Sequence, residues 1–312
     1  MDQQATRTRT PHDVVVVGSV NADLLTRVAQ HPAPGETVLV RTLAVLPGGK
    51  GANQAVAAAR LGARTALVGA VGTDAFAEPA LAGLRAAGVD LGAVAVHDGP
   101  TGLALVTVAD DGENTIVVVP GANARVDGTA VAAHDALVAA AAVVVVQGEI
   151  PRSGIERAAA AATGRLVVNL APVVDVDPAV LRAADPLVLN EHEAPLLLAA
   201  LGGDAMGADP DALARGLLAD GVRSVVLTLG GRGALVADGG DDGPVHVVAP
   251  RVPVVDTTGA GDAFVGALAH RLALGEDLVP AARTAVRVGA FAVGREGAQP
   301  AFPGAGDALP GG

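Results

Sequence analysis

The stretch Asp256-Thr257-Thr258-Gly259-Ala260-Gly261-Asp262-Ala263-Phe264 holds the residue types best suited to chemistry in this chain. Glycines at 259 and 261 allow a tight turn in which successive amide N–H groups converge. The alanine-rich helical pattern that follows, through Leu274, adds the positive end of a helix dipole, so the turn suits an anion. Asp262 then places a carboxylate beside that anion. It serves either as a helix cap or as a general base acting on a hydroxyl near a phosphate. Local sequence leaves both readings open.

A second such stretch is Gly48-Gly49-Lys50-Gly51-Ala52-Asn53-Gln54. It is not a Walker A loop, because Gly51 follows Lys50 and Ala44 stands where the first glycine belongs. Its glycines let a ligand approach the backbone, Lys50 brings charge, and Asn53 can bind a hydroxyl in either direction. The plainer reading is a glycine-rich helix start.

These residues need elements to hold them. Residues 14–17, followed by Gly18-Ser19, read as a buried strand and a turn. Asn21, Ala22 and Asp23 come next, where open α/β sheets bind ligands, though Asn and Asp are also common turn residues. Strands are predicted over 64–71, 143–146, 166–169, 187–189 and 224–228, with helices over 75–87, 127–142, 152–162, 262–274 and 278–293. Glu149 lies just past one strand, in ligand position or in a solvated loop. Asn190 and Glu193, three apart, either share a face suited to hydrated Mg²⁺ or form a capping box. His192 lacks a second histidine at metal spacing and takes no role. The run Thr228-Leu229-Gly230-Gly231-Arg232-Gly233 can pass close to a nucleotide, although glycine-rich hairpins are frequent.

The alternation predicts a doubly wound α/β domain over 13–303. Extended segments over 21–46 and 94–119 are predicted to leave the main sheet and form a small β-sheet lid. Residues 1–12 and the Gly/Pro-rich 304–312 are predicted to be flexible tails.

Composition narrows the function. The chain of 312 residues is 51% apolar but has 4 Phe and no Trp or Tyr, so it offers no stacking platform for nucleic acid. Its net charge of −12 opposes a polyphosphate backbone. With no cysteine, thiolate chemistry and thiolate metal sites are excluded. The apolar run 136–146 is too short to span a bilayer, and no secretion signal is visible, so a cytoplasmic protein without membrane contact is expected.

Taken together and in order, from Gly18-Ser19-Val20-Asn21-Ala22-Asp23 to Gly297-Ala298-Gln299-Pro300, these motifs resemble the ribokinase branch of the PfkB carbohydrate kinase family. The Asp-Thr-Thr-Gly-Ala-Gly-Asp stretch belongs to the wider family, and the lysine-bearing glycine motif is narrower. The resemblance implies a Rossmann-like domain with a β-sheet lid that pairs two subunits, and ATP-dependent phosphorylation of the 5-hydroxyl of D-ribose.

It also implies roles. Asn21, Ala22, Asp23, Gly49, Lys50, Gly51, Asn53 and Glu149 match the sugar site, where a pocket built for hydroxyls rejects analogues lacking them. Asp262 matches the catalytic base, and Gly259, Ala260 and Gly261 match the anion hole. Asn190 and residues 228–233 match nucleotide contacts together with Gly261 and Asp262, and Glu193 matches the residue that organises Mg²⁺. Asp256, Thr258, Ala292, Arg295, Gly297 and Ala301 match a K⁺ cage, in which Ala301 replaces a frequent serine. Val286 stands where a histidine can meet the adenine. The alternatives are a 2-deoxyribose kinase, another sugar or nucleoside kinase of the family, and a non-catalytic sugar-binding regulator.

Overall fold

Four consecutive valines make strand β1 (Val14–Val17), and their β-branched side chains are fully buried on both faces of a sheet. The computed structural model describes residues 12–40, 42–110, 113–240 and 243–311. After β1 the chain forms β2 (Asn21–Val28), β3 (Leu43–Gly48), α1 (Lys50–Arg60) and β4 (Thr65–Val71). Next come α2 (Ala77–Ala86), β5 (Asp90–Val96) and the hairpin β6 (Gly102–Ala109) and β7 (Asn114–Val119). Short helices α3 (Gly128–Ala132) and α4 (Asp135–Ala139) lead to β8 (Val143–Gln147), α5 (Arg152–Ala161), β9 (Arg165–Asn169) and α6 (Pro178–Ala183). Then follow β10 (Leu187–Asn190), α7 (Glu193–Ala200), α8 (Pro210–Ala219), β11 (Val225–Thr228) and β12 (Ala234–Ala237). Strand β13 (Val245–Val247) and helices α9 (Ala260–Ala273) and α10 (Leu278–Ala292) complete the order.

The large sheet runs β13-β12-β11-β10-β9-β8-β1-β4-β5, with every strand parallel except β12, which pairs antiparallel with both β11 and β13. Helices α1, α2, α9 and α10 pack on one face and α3 to α8 on the other, each over its own apolar cluster. Strand order reverses between β1 and β8, so a crevice opens at their carboxyl ends. The smaller sheet, β3-β2-β6-β7, stands apart from the large one. The expected α/β architecture is present.

Several expected boundaries are corrected. Residues 94–96 belong to β5, which pairs with β4 at the edge of the large sheet rather than in the lid. Within 21–46, only Asn21–Val28 and the part from Leu43 onward are strand, and residue 41 lies outside the described residues. The 127–142 helix is two helices: Asp127 caps α3, and the chain leaves helical geometry at His134 (φ −117°, ψ 18°) before α4.

Residues 304–311 do not form a loose tail. Arg60 donates to the carbonyls of Gln299 and Phe302, and Ala305 N donates to Arg60 O at 2.9 Å. Arg287 reaches the carbonyls of Leu309 and Pro310, and Leu309 packs on the core. Gly/Pro composition gave no sign of these two arginine clamps. Residues 1–11, expected to be flexible, lie outside the described residues, while His12 meets Asp90 at 3.0 Å. Among the described residues no helix is long and apolar enough to cross a membrane.

Candidate active site

Helix α1 begins directly on the turn that ends β1. A Cβ at Gly51 would lie 2.5 Å from Ser19 N, so only glycine permits this approach. No side chain of its own caps α1. Its first amides are satisfied from elsewhere: Lys50 N donates to Glu149 Oε2 (3.0 Å), Gly51 N to Ser19 Oγ (3.2 Å) and Ala52 N to Ser19 O (2.9 Å). Ser19 Oγ also donates to Glu149 Oε2 at 2.6 Å. Glu149, which follows β8, therefore links the turn after β1 to the start of α1 and places a carboxylate at that helix's N-terminus.

Helix α9 crosses α1 at close range, where a Cβ at Gly266 would lie 2.5 Å from Ala57 Cβ. That crossing brings Asp262, in the first turn of α9 and 7% exposed, against Asn53 and Gln54. Asn53 Nδ2 donates to Asp262 Oδ2 at 2.9 Å, and Gln54 Nε2 donates to Oδ1 at 3.0 Å. Asp262 does not cap its own helix: Gly259, at φ 72°, is the N-cap residue and no side chain caps α9. The amides of Gly259, Gly261 and Asp262 have no acceptor among the described residues, while Ala260 N bonds Thr257 O.

At the start of β2, Asn21 accepts from Asn123 Nδ2 at 2.7 Å, and Asn123 also bonds both backbone groups of Val20. Ala22 is fully buried in the core. Asp23 packs on Gly48, and its Oδ1 is buried with no donor among the described residues. Burial, then the negative charges of Glu149 and Asp262, push the Asp23 carboxyl up to about 7. Asp23 lines a cavity of about 420 Å³ together with Arg27, Pro47, Asp256, Thr258 and Gly297. Lys50 is held charged chiefly by Asp262, against its own burial, with help from Glu149 and Glu193.

A smaller cavity of about 130 Å³ joins Lys50, Asn190, Glu193, Thr228, Gly261 and Asp262. Glu193 Oε2 accepts from Asn190 N, and Asn190 Oδ1 accepts from Glu193 N, both at 2.9 Å. The pair is thus a capping box that also faces the site, and burial raises the Glu193 carboxyl. Beyond Thr228 and Gly261 lies an apolar cavity of about 610 Å³ walled by Gly230, Gly233, Val252, Phe264 and Val286. Gly231 lines it too, whereas Leu229 is buried in the core and Arg232 is ion-paired with Glu191. Neither Leu229 nor Arg232 is among the residues lining the cavity.

The loops around Asp256 are tied together by its carboxylate. Oδ1 accepts from Thr258 N (2.9 Å) and Thr258 Oγ1 (2.6 Å), and Oδ2 from Gly297 N (2.8 Å). Burial alone would raise this carboxyl, but these donors and Arg27 hold it below the ordinary value. Arg295 N bonds Ala292 O (3.1 Å), and the Arg295 guanidinium stacks on Phe291 at 3.6 Å. Ala301 is buried and brings no side-chain oxygen.

Sequence reasoning assigned no role to Ser19, Asn123, Gln147 or Asn169. Gln147 and Asn169 carried a signal, since each is a polar residue ending a strand directly after at least three buried apolar residues. Asn123 carried none, because its partners lie a hundred residues away in sequence.

The pfkB family carbohydrate kinase model matches residues 11–305. The chain is 36% identical to the ribokinase of Schizosaccharomyces pombe, over 93% of this chain and 95% of that one. It is 33% identical to the deoxyribokinase of Salmonella typhi over the same shares. It superposes on the ribokinase of Arabidopsis thaliana complexed with ribose and ATP with a TM-score of 0.83, at 31% identity, covering 94% of this chain and 96% of that one. With two glycine-built ligand turns meeting at a buried aspartate on this fold, the chain belongs to the pfkB family of carbohydrate kinases and is a sugar kinase.

Proposed function

We propose that the chain transfers the γ-phosphoryl group of ATP to the 5-hydroxyl of D-ribose. The observation that carries this reading is the place of Asp262, between Asn53 of α1 and the unpartnered amides of Gly259 and Gly261. Asp262 accepts the proton of the hydroxyl while that oxygen attacks the γ-phosphorus. The bond from phosphorus to the β-phosphate oxygen breaks, and ADP leaves. The turn amides stabilise charge on the migrating group, and Lys50 neutralises phosphate oxygens. The adenine occupies the apolar cavity at Val286, where dispersion contacts replace a polar partner. The unpaired Asp23 Oδ1 accepts from a sugar hydroxyl, as do Asn21 and Glu149.

ATP reacts as its Mg²⁺ complex, and Glu193 organises the ion from the phosphate side. Among the described residues no group of three or more His, Cys, Asp or Glu side chains is arranged for a metal. A monovalent cation such as K⁺ fits the ionised Asp256 and the carbonyls of Thr258, Ala292, Arg295 and Gly297, with Ala301 adding only backbone. Bound there, K⁺ supplies positive charge beside the anion-binding turn. The exposed apolar residues of the lid support a homodimer.

The test is kcat/KM for ribose, 2-deoxyribose, fructose and adenosine. Ribose is expected to lead, and no ribose turnover would overturn the assignment. Phosphorylation of 2-deoxyribose is the second reading, favoured by the likeness to a deoxyribokinase, and the same series decides it. Against a non-catalytic regulator, Asp262→Asn is expected to keep ribose binding and lower kcat by about 10²–10⁴. Unchanged turnover in that variant would remove Asp262 from its role.

A further inference from the structure

Asp262 is held from behind by a chain of side-chain amides that the mechanism above does not use. Gln54 Nε2 donates both to Asp262 Oδ1 (3.0 Å) and to Asn169 Oδ1 (2.9 Å), and Gln54 Oε1 accepts from Gln147 Nε2 (2.7 Å). Gln54 and Gln147 are both 0% exposed. A carboxylate only accepts, so the Gln54 amide nitrogen must face Asp262 and its oxygen must face a donor. Gln147 provides that donor. Its own oxygen is then turned onto Gly18, where it has no partner, and a Cβ at Gly18 would lie 2.0 Å from it.

The second oxygen of Asp262 ends a matching chain. Asn53 donates to Oδ2, Gln299 Nε2 donates to Asn53 Oδ1 (2.9 Å), and Gln299 Oε1 is left unpartnered against Gly83. Each chain thus ends in a buried carbonyl without a donor, an arrangement unfavourable for packing alone. Both are oriented by the one group that must be acceptor-only, the Asp262 carboxylate. They differ at the site itself. Both amide hydrogens of Gln54 are used inside the core and its oxygen is held by Gln147, whereas Asn53 also belongs to the proposed sugar side. An entering hydroxyl can therefore displace Asn53 from Oδ2 but cannot displace Gln54 from Oδ1.

We propose that Gln54 is a positioning residue that pins Oδ1 of Asp262, so that Oδ2 is the oxygen presented to the acceptor hydroxyl. This rests on Asp262 being the base. A base whose carboxylate can swing loses the near-attack geometry, at a cost on the order of 10² for a displacement of about 1 Å.

The experiment is a double-mutant cycle with D-ribose and MgATP, placing Gln54→Met in the wild-type and Asp262→Asn backgrounds. With Asp262 present, kcat is expected to fall about 10–100-fold while the ribose KM stays within about 3-fold. In Asp262→Asn, the same change is expected to alter the residual kcat by less than about 3-fold. Equal losses in both backgrounds would show that Gln54 only supports the fold, and an unaffected kcat would equally sink the proposal. Should Gln54→Met not fold, Gln147→Met removes only the donor that orients Gln54. It is expected to cost about 3–10-fold in kcat, again only where Asp262 is present, and no effect there would overturn the proposal. If Asp262→Asn alone keeps full turnover, the base assignment fails and the positioning role falls with it. If that variant is impaired while Gln54→Met is additive, only the positioning role fails.

Discussion

Asp23 is a carboxyl set among carboxylates, and its protonation links the candidate site to stability. Burial and the charges of Glu149 and Asp262 lift it to about 7 from an ordinary value of 3.8. Between those values the folded chain binds a proton that the unfolded chain has released, so stability falls as pH rises through that window. The contribution is fully present below the unfolded value and lost above the folded one. Glu193, also raised by burial, slopes the same way, so the informative quantity is a difference between variants. Without sugar, Asp23→Asn is expected to raise Tm relative to wild type at about pH 8 and to give little or no advantage at about pH 5. An advantage that does not change between the two pH values would show that Asp23 is not the titrating group.

The turn before α9 shows how an element sets the chemistry. Gly259 lies at φ 72°, and a Cβ there would stand 2.6 Å from Ala298 Cβ and 2.9 Å from its Cα. Gly259→Ala must therefore push the turn away from the 297–301 loop and misalign the amides beside Asp262. Loss of one such donor costs about 10²–10³ in rate, so kcat should fall by about that factor with ribose binding retained. Steady-state kinetics beside a ribose titration would check it, and a kcat within about 3-fold of wild type would exclude the turn from charge stabilisation.

This turn was readable from the chain because its cause is local: two glycines, an aspartate and a helical pattern sit in nine consecutive residues. The parallel sheet was readable for the same reason, since runs such as Val14–Val17 are apolar on both faces. Three features were not. Residues 94–96 are a short apolar run that suits either sheet, and only pairing with β4 decides between them. The clamped 304–311 segment depends on Arg60 and Arg287, which lie far from it in sequence or on another element. The amide chains behind Asp262 draw on Asn53, Gln54, Gln147, Asn169 and Gln299, from four separate segments whose meeting is a property of the whole fold.

At the scale of the molecule, the lid poses the remaining problem. Strand β7 ends the small sheet, and both of its faces are open: Ile116 and Val117 are each 54% exposed. Ile116 stands opposite Val106, which lines the cavity with Asp23, whereas Val117 pairs with Leu105, itself exposed on the opposite face. A bare apolar edge strand is prone to uncontrolled pairing unless something covers it. Net charge of −12 keeps molecules apart in general but does not shield this one edge. A second copy, lid against lid, would cover the strand in a closed twofold arrangement and hold each small sheet over its cavity. Sedimentation of the wild-type chain is expected to give a dimer. Ile116→Glu with Val117→Glu, which charges both faces of β7, is expected to give a folded monomer with a raised ribose KM. A wild-type chain that sediments as a monomer at micromolar concentration would leave the lid to close over the sugar unaided.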